Sequence, residues 1–260
     1  MTYADCVPMT SSISRICRYP VKGLSPDEMK QATVEAGGGL NSDRRFAFAL
    51  GSTRFEDGKP HWLPKTSFLA LMKNEKLAAL DTRFDEATNE LTIFRDGKQV
   101  KRGNMSDPLG RALLEDFFAA YMKDECRGKP QLVEAKDEVV FSDQKTKVIS
   151  LINLASVRDF ERVVSMPLDP IRFRGNIYID GLDPWKEFEW CGKDIQVGSV
   201  TLSVTEHIDR CAAINVDPST GERDRNLVKE LQRGFGHVNM GVFATVKTGG
   251  SFAVGDEIKD

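Results

Sequence analysis

The stretch SVTEHIDRCAAINVDPSTGERD, residues 203–224, guides the interpretation of the rest of the chain. Its apolar and polar residues predict a strand that runs into Cys211 and a second strand over residues 212–216. Asp217 then opens a segment with the composition of a turn. Because Cys211 follows Arg210 directly, it is a candidate reactive thiolate, since a nearby cation favours the charged form of sulfur. Free cysteines are more often buried and inert, so Cys211 could equally fill a strand.

Predicted strands outnumber predicted helices on both sides of this stretch. They are expected at residues 13–19, 31–35, 45–50, a hairpin over 91–100, 171–173, 176–179, 195–197, 200–205, 212–216 and 240–246. Asp96-Gly97 suits the type I′ turn of the hairpin, where positive φ is needed. Strands and helices do not alternate along the chain, which argues against a Rossmann or TIM architecture. The pattern favours a β-rich α+β protein, a barrel or mixed sheet with a few covering helices.

Three helices are predicted. The first spans residues 106–125, begins with the capping residues Ser106 and Asp107, and carries an apolar stripe expected to face the core. That stripe consists of Leu109, Leu113, Leu114, Phe117, Phe118 and Tyr121. The second helix begins near Asn153 and ends before Pro167. The third, residues 226–234, is expected to close at Gly234.

Composition limits the classes of function. The 260 residues carry a formal net charge of -3, which disfavours nucleic acid as a partner. The five cysteines, at positions 6, 17, 126, 191 and 211, form no CxxC pair and no zinc or iron–sulfur spacing. An odd, dispersed set of cysteines is typical of a reducing cytoplasm. The first twenty residues lack the apolar run of a secretion signal, and we expect no membrane span.

Several cations recur beside turns. Arg172 and Arg174 are two residues apart on a predicted strand, so both would point to one face and could clamp an anion. A solvated strand edge is the common alternative. Lys22 lies in a predicted loop, and Arg44 and Arg45 stand at the start of a predicted strand. An exposed cation is the ordinary expectation for each one taken alone.

Taken together, these pieces resemble a known family. They are YPVKG at residues 19–23, DRRF at 43–46, RFRGN at 172–176, DRC at 209–211 followed by VDPSTGE at 216–222, and VGDEI at 254–258. In this order they resemble the MOSC superfamily with its N-terminal β-barrel domain, and within it the mitochondrial amidoxime-reducing component and its bacterial counterparts. The resemblance covers nearly the whole chain, and the block from DRC to VDPSTGE is its most specific part.

The resemblance implies a MOSC-type β-barrel with a smaller N-terminal β-barrel or mixed-sheet subdomain. The two domains would span residues 10–130 and 131–260, pack intimately and hold a molybdenum cofactor between them. Cys211 would ligate molybdenum, and Lys22, Arg45 and Arg174 would hold the pterin and its phosphate. The other implied cofactor contacts are Gly23, Thr146, Asn176, Asp209 and Arg210. Asp217 would shape the substrate side as a catalytic residue, or simply cap its turn.

Three positions depart from the family pattern. Gly23 stands where a serine commonly follows the lysine, which would remove one contact to the cofactor. Gly175 replaces a proline, which we expect to loosen the segment between Arg174 and Asn176. Asp209 replaces a serine and would place a carboxylate near an anionic cofactor unless Arg210 neutralises it.

The function implied is molybdenum-dependent reduction of small N-oxygenated compounds, such as hydroxylamines, hydroxamic acids and amidoximes. Electrons would come from a separate donor protein that carries flavin, haem or an iron–sulfur cluster. Two alternatives stay open. Cys211 could carry a persulfide in a sulfur carrier or transferase, or the protein could bind and deliver the cofactor without turnover.

Overall fold

The computed structural model describes residues 10–56, 60–136 and 139–260. These residues form a β-rich fold with three α-helices, which confirms the predicted fold class. Residues 1–9, which include Cys6, lie outside the described ranges. Within those ranges, no helix is long and apolar enough to cross a membrane.

The described residues contain fifteen strands and three helices. The strands are β1 (Ser12–Arg18), β2 (Asp27–Met29), β3 (Gln31–Val34), β4 (Phe46–Ala49), β5 (Asp81–Asp85), β6 (Glu90–Arg95), β7 (Lys98–Asn104), β8 (Gln131–Glu134), β9 (Ile149–Asn153), β10 (Ile177–Asp180), β11 (Asp194–Val197), β12 (Val200–Asp209), β13 (Asn239–Thr248), β14 (Gly250–Ala253) and β15 (Ile258–Lys259). The helices are α1 (Pro108–Met122), α2 (Leu154–Val164) and α3 (Leu227–Phe235).

An eight-stranded sheet, in the order β15-β11-β12-β13-β9-β10-β1-β2, curls until its ends meet. Ile13 N donates to Asp256 O at 3.0 Å and Ile258 N donates to Ser11 O at 2.9 Å, which joins β1 to the segment around β15. Neighbouring strands are antiparallel except β9 and β10, which are parallel and connected by α2. The sheet therefore closes into a barrel without exposing its long strands as free edges.

Alternation along the strands places apolar side chains on both faces of the barrel wall. On β10, Ile177 and Ile179 face the barrel interior, and Tyr178 between them faces the layer formed by α2 and α3. Phe160 of α2 and Leu231 of α3 are fully buried in that outer layer. The two helices thus cover a wall that would otherwise expose an apolar surface.

The N-terminal half contributes to the barrel and also forms a second core. The strands β1 and β2 belong to the eight-stranded sheet, and β3 pairs with β14 near the C-terminus. The remaining strands form the sheet β5-β6-β7 and the pair β4-β8, with α1 packed against them. The predicted hairpin is confirmed, since Asp96 and Gly97 have φ of 51° and 72° between β6 and β7.

Two predicted strands are wrong. Residues 171–173 belong to the 3-10 helix Pro170–Phe173, and residues 212–216 are largely the 3-10 helix Ala212–Asn215. Asp169 caps the first of these helices, with Pro170 in its first turn, and Arg174 ends it in the left-handed region. Arg172 and Arg174 therefore do not share one face of a strand.

The predicted ends and faces of two helices also need correction. α3 continues past Gly234 and ends at Gly236, which takes the left-handed conformation. The buried residues of α1 are Gly110, Leu114, Phe118 and Met122. A side-chain carbon at Gly110 would lie 2.2 Å from Asn104 O, so the helix approaches β7 at this glycine. That contact turns Leu109, which is 69% exposed, and Leu113 away from the core.

We expect Leu114→Ala to lower the free energy of unfolding by about 2 to 5 kcal/mol, because it leaves a cavity in a filled core. Leu109→Ala is the matched control on the same helix, and its effect should stay within about 0.5 kcal/mol. Urea denaturation of the two variants measures the difference. Equal losses would contradict the observed orientation of α1.

A carboxyl group is fully buried between α2 and the barrel. Glu187 accepts hydrogen bonds from Ser156 Oγ at 2.8 Å and from Asn153 Nδ2 at 2.8 Å. Burial raises the pKa of Glu187 above its ordinary value of 4.5, and the hydrogen bonds offset only part of that increase. The folded protein therefore holds this proton more tightly than the unfolded chain does.

Such a group stabilises the fold fully below its unfolded pKa, and that contribution is lost as pH rises through the higher folded pKa. We expect Glu187→Gln to remove this part of the decline in stability over the pH range above 4.5. Urea unfolding across that range measures it, and Glu189→Gln, an exposed neighbour, is the control. An unchanged slope in Glu187→Gln would be inconsistent with this assignment.

Candidate functional site

A cavity of about 920 Å³ lies between the barrel and the N-terminal half. Lys22, Arg44 and Lys65 line it from the N-terminal half, and Asn176 and Cys211 line it from the barrel. Its wall includes eight basic and five acidic side chains, although the whole chain carries a net charge of -3. The cavity is therefore a locally basic site of a size usual for small-molecule or cofactor pockets.

Cys211 lies in this cavity at the end of a long barrel strand. It follows β12 by two residues and caps the 3-10 helix Ala212–Asn215. It is a free, partly exposed cysteine outside the strand, so the alternative of a buried residue that fills a strand is wrong. The neighbouring Arg210 does not point its guanidinium into solvent. It donates to Phe173 O at 2.8 Å and to Met240 O at 2.8 Å through Nε, which fixes the chain just before the cysteine.

One carboxylate bridges two ammonium groups beside Cys211. Asp143 lies 3.1 Å from Lys22 Nζ and 2.9 Å from Lys65 Nζ. Lys22 also donates to Phe141 O at 2.9 Å, and Lys65 interacts electrostatically with Cys211. The sulfur, the two lysines and the carboxylate thus form one connected group on the cavity wall.

The charges in this group shift one another's pKa values. Burial lowers the pKa of Lys22, and Asp143 offsets part of that decrease. Burial alone would raise the pKa of Asp143, but Lys22 and Lys65 hold it well below its usual range. Burial lowers the pKa of Lys65, but Asp143 and Cys211 outweigh it and the net pKa is raised. Lys65 and Asp143 are therefore a charged pair at neutral pH.

Two arginines share an aromatic ring on another side of the cavity. The guanidinium carbons of Arg44 and Arg174 lie 4.6 Å and 4.2 Å from the centroid of the Tyr19 ring. Arg44 also donates to Arg174 O at 3.0 Å, and Arg174 donates to Leu24 O at 2.9 Å. Both arginines have φ of 49°, an uncommon conformation for such residues. Tertiary contacts therefore hold both arginines in a backbone conformation that they do not favour locally.

Asn176, Gly23 and Gly175 form a closely packed support for these groups. Asn176 donates to Cys17 O at 3.0 Å and accepts from Ser150 Oγ at 2.8 Å. Gly23 has φ of 83°, so the serine common at this position would be strained here. A side-chain carbon at Gly175 would lie 2.3 Å from Ile152 Cγ1. The glycine is therefore tightly packed, and the expected loosening of this segment is not observed.

Five predicted site residues differ from the expectation in their contacts or in their place relative to the cavity. Arg45 and Asp209 line the cavity, but Arg45 is bound by Glu134 at 2.6 Å and by Asn89 at 3.0 Å. The guanidinium of Arg210 is engaged by backbone carbonyls rather than by Asp209. Thr146 and Asp217 are not among the described residues that line the cavity.

Asp217 instead organises the loop that follows Cys211. Its carboxylate accepts hydrogen bonds from Ser219 N at 2.7 Å and from Thr220 N at 3.1 Å, as in a capped turn. It also pairs at 2.6 Å with Arg172, whose side chain is 1% exposed. Asp224 pairs with the same guanidinium at 2.5 Å. These contacts support the turn-capping alternative for Asp217.

Sequence reasoning did not identify Lys65 or Asp143, and it placed no weight on Arg44. Lys65 follows Pro64 in a polar loop and has no regular spacing with the other cations. Asp143 is one of several charged residues between β8 and β9. Of these three residues, only Arg44 lies in one of the recognised motifs, as the neighbour of Arg45 in DRRF. The motif does not say how the contacts of the two arginines differ.

Comparison with known protein families identifies the C-terminal half of the chain. Residues 131–259 match the MOSC domain family. The C-terminal half of the chain is a MOSC domain. The family resemblance predicted from the sequence is thereby confirmed.

Curated relatives resemble only part of this protein. The molybdenum cofactor sulfurase of Caenorhabditis elegans is 38% identical over 84 residues, which are 32% of this chain and 12% of that protein. Molybdenum cofactor sulfurase 2 of Culex quinquefasciatus is 31% identical over 131 residues, which are 46% of this chain and 16% of that protein. The matched part is thus less than a fifth of either relative. Among solved structures, the YUAD protein from Bacillus subtilis aligns with a TM-score of 0.47 at 12% identity, over 96% of this chain and 94% of that one.

We expect Asp217→Ala to lower the free energy of unfolding by about 1 to 3 kcal/mol, because it leaves part of a buried guanidinium unpaired. Asp217→Asn, which keeps the capping oxygen, should cost less. Urea denaturation of the MOSC protein and both variants measures the losses. Full stability in Asp217→Ala would show that the turn and the ion pair do not need this side chain.

Proposed function

We propose that this MOSC protein binds a molybdenum cofactor in the basic cavity and reduces N-oxygenated compounds such as hydroxylamines, hydroxamic acids and amidoximes. The observation that carries the proposal is the placement of Cys211, a partly exposed thiol on the wall of a cavity lined by basic side chains. The sulfur of Cys211 would be the protein's ligand to molybdenum. The printed names of the curated relatives, molybdenum cofactor sulfurases, agree with a role connected to this cofactor.

The donor set fits the chemistry of such a group. A thiolate is a soft ligand, suited to metals that are bound through sulfur. A pterin phosphate needs cations and N–H donors, and ammonium and guanidinium groups supply both. Lys22 and Arg174 meet that need in the cavity, while Asn176 holds the backbone around them. The cofactor would lie between the parts formed by residues 10–130 and 131–260.

In this mechanism each residue has a limited task. Cys211 holds the metal, and Arg210 fixes the orientation of the cysteine through the carbonyls of Phe173 and Met240. Lys22, Arg45, Arg174, Gly23, Asn176 and Asp209 bind or shape the cofactor site. Thr146 and Asp217 would act from outside the cavity lining, Asp217 through the loop it caps. When bound, the cofactor would supply the chemistry of two-electron reduction, in which the oxygen of the substrate leaves as water.

The proposal requires a second protein. A separate donor that carries flavin, haem or an iron–sulfur cluster would deliver the electrons. A reducing cytoplasm is the proposed compartment, because it would keep Cys211 as a free thiol.

A sulfur carrier or transferase is the second candidate. The names of the curated relatives favour it, and Cys211 would then carry a persulfide. A protein that binds and delivers the cofactor without turnover would keep the metal but reduce no N-hydroxylated compound. Metal content separates the sulfur carrier or transferase from the reductase. A reduction assay with an artificial electron donor separates the delivery protein from the reductase.

We expect near-equimolar molybdenum in wild-type protein from a cofactor-producing host, and loss of that metal in Cys211→Ser, because serine offers no thiolate. Elemental analysis of the purified protein measures it. Cys191→Ser is the matched control, since Cys191 is also partly exposed but is not among the residues that line the cavity. Wild-type protein without molybdenum would contradict the proposal and favour persulfide transfer.

A further inference from the structure

Lys65 is a cation beside Cys211 that the proposed function does not yet use. It lies in the 3-10 helix Lys65–Ser67, outside the residues that match the MOSC family. Its side chain is 30% exposed, whereas those of Lys22 and Arg44 are 9% and 15% exposed. Lys65 is therefore more accessible to an incoming molecule than either of these two cations.

We propose that Lys65 recognises an anionic group of the substrate beside Cys211, so that the site selects negatively charged small molecules. The inference rests on the proposed function and narrows its substrate class. It makes Lys65 a specificity-determining residue supplied by the N-terminal half of the chain.

The hydrogen bonds of Lys65 leave it able to bind a ligand. An ammonium group has three N–H donors. Within the described residues, Lys65 donates to Asp143 at 2.9 Å and lines the same cavity as Cys211. The ion pair holds the ammonium in place on the cavity wall, and its other donors are available to an anion that enters the cavity.

The surroundings of Lys65 favour the same class of ligand. Basic side chains outnumber acidic ones on the cavity wall. Lys22 already shares Asp143 with Lys65, so one carboxylate balances two cations. A cavity with low-dielectric walls and an excess of one charge attracts ligands of the opposite sign. Asp143 carries a single negative charge, so it only partly neutralises the two lysines.

The test compares two alkylating agents that attack the same sulfur but differ in charge, iodoacetate and iodoacetamide. It uses the full-length chain from a host that makes no molybdenum cofactor, and peptide mass spectrometry follows the rate at Cys211. The ratio of the two rates reports recognition of the anion, because any change in the reactivity of the sulfur affects both reagents and cancels. Cys191 provides an internal reference in the same molecule.

We expect Lys65→Met and Lys65→Gln to lower the iodoacetate-to-iodoacetamide ratio at Cys211 by about threefold at low salt, where charges are little screened. Lys65→Arg, which keeps the charge, should retain most of the ratio, and added salt should lower it in the wild type. Lys76→Met, which removes a surface lysine paired with Glu125, is the control and should change nothing.

An unchanged ratio in the folded neutral variants would overturn the inference. An equal slowing of both reagents would also overturn it, because Lys65 would then act on the sulfur alone. The assay needs neither molybdenum nor turnover. A failure of the proposed function, seen as wild-type protein without metal, is therefore distinguishable from a failure of this inference.

Discussion

Several cationic side chains line the cavity wall around Cys211, and contacts with the surrounding structure hold them there. Like charges at short range repel one another, and removing each from water is costly. The protein offsets this cost in three ways. Asp143 bridges two lysines, the Tyr19 ring lies against two guanidinium groups, and backbone carbonyls accept hydrogen bonds from Lys22 and Arg174. The groups that a ligand would meet are thus already in place and partly desolvated.

Both halves of the chain are needed for this arrangement. Arg223, in the loop after Cys211, donates to Ala212 O at 2.8 Å, Leu71 O at 3.0 Å and Met72 O at 2.8 Å. It therefore ties the residue next to the cysteine to the N-terminal half, from which Lys65 comes. The MOSC domain contributes the thiol, and the N-terminal half contributes much of the charge.

Regular elements were predictable because their signals are local. The hairpin turn at Asp96-Gly97 and the cap at Asp107 follow from short-range chemistry, and both were found as expected. Residues 171–173 and 212–216 were not predictable, because a three-to-five-residue apolar run suits a strand and a 3-10 helix equally well. The orientation of α1 depends on how closely Gly110 approaches Asn104, which is a tertiary contact.

The site was predictable in part for the same reason. The region around Cys211 and the cations Lys22 and Arg174 stood out because short motifs surround them. Lys65 lies 146 residues before Cys211 in the chain, and no spacing rule connects the two. Arg44 and Arg45 both line the cavity, but Glu134 and Asn89 hold Arg45, whereas Arg44 stacks on Tyr19. Such competition between partners cannot be read from a motif.

The closure of the barrel sets the order in which the protein can acquire its structure. β1, at the start of the chain, pairs with β10, and Ser11 and Ile13 bond to residues 256 and 258 near the end. Contacts between such distant parts of a chain form slowly, because the intervening loop must first be closed. During synthesis β1 can pair with β2 early, but its other edge has no partner until residues 177–180 emerge, and the barrel cannot close until residues 256–258 do. The cavity, whose lining runs from Lys22 to Phe243, can therefore form only after both of these parts of the chain are made, and any cofactor must enter after that.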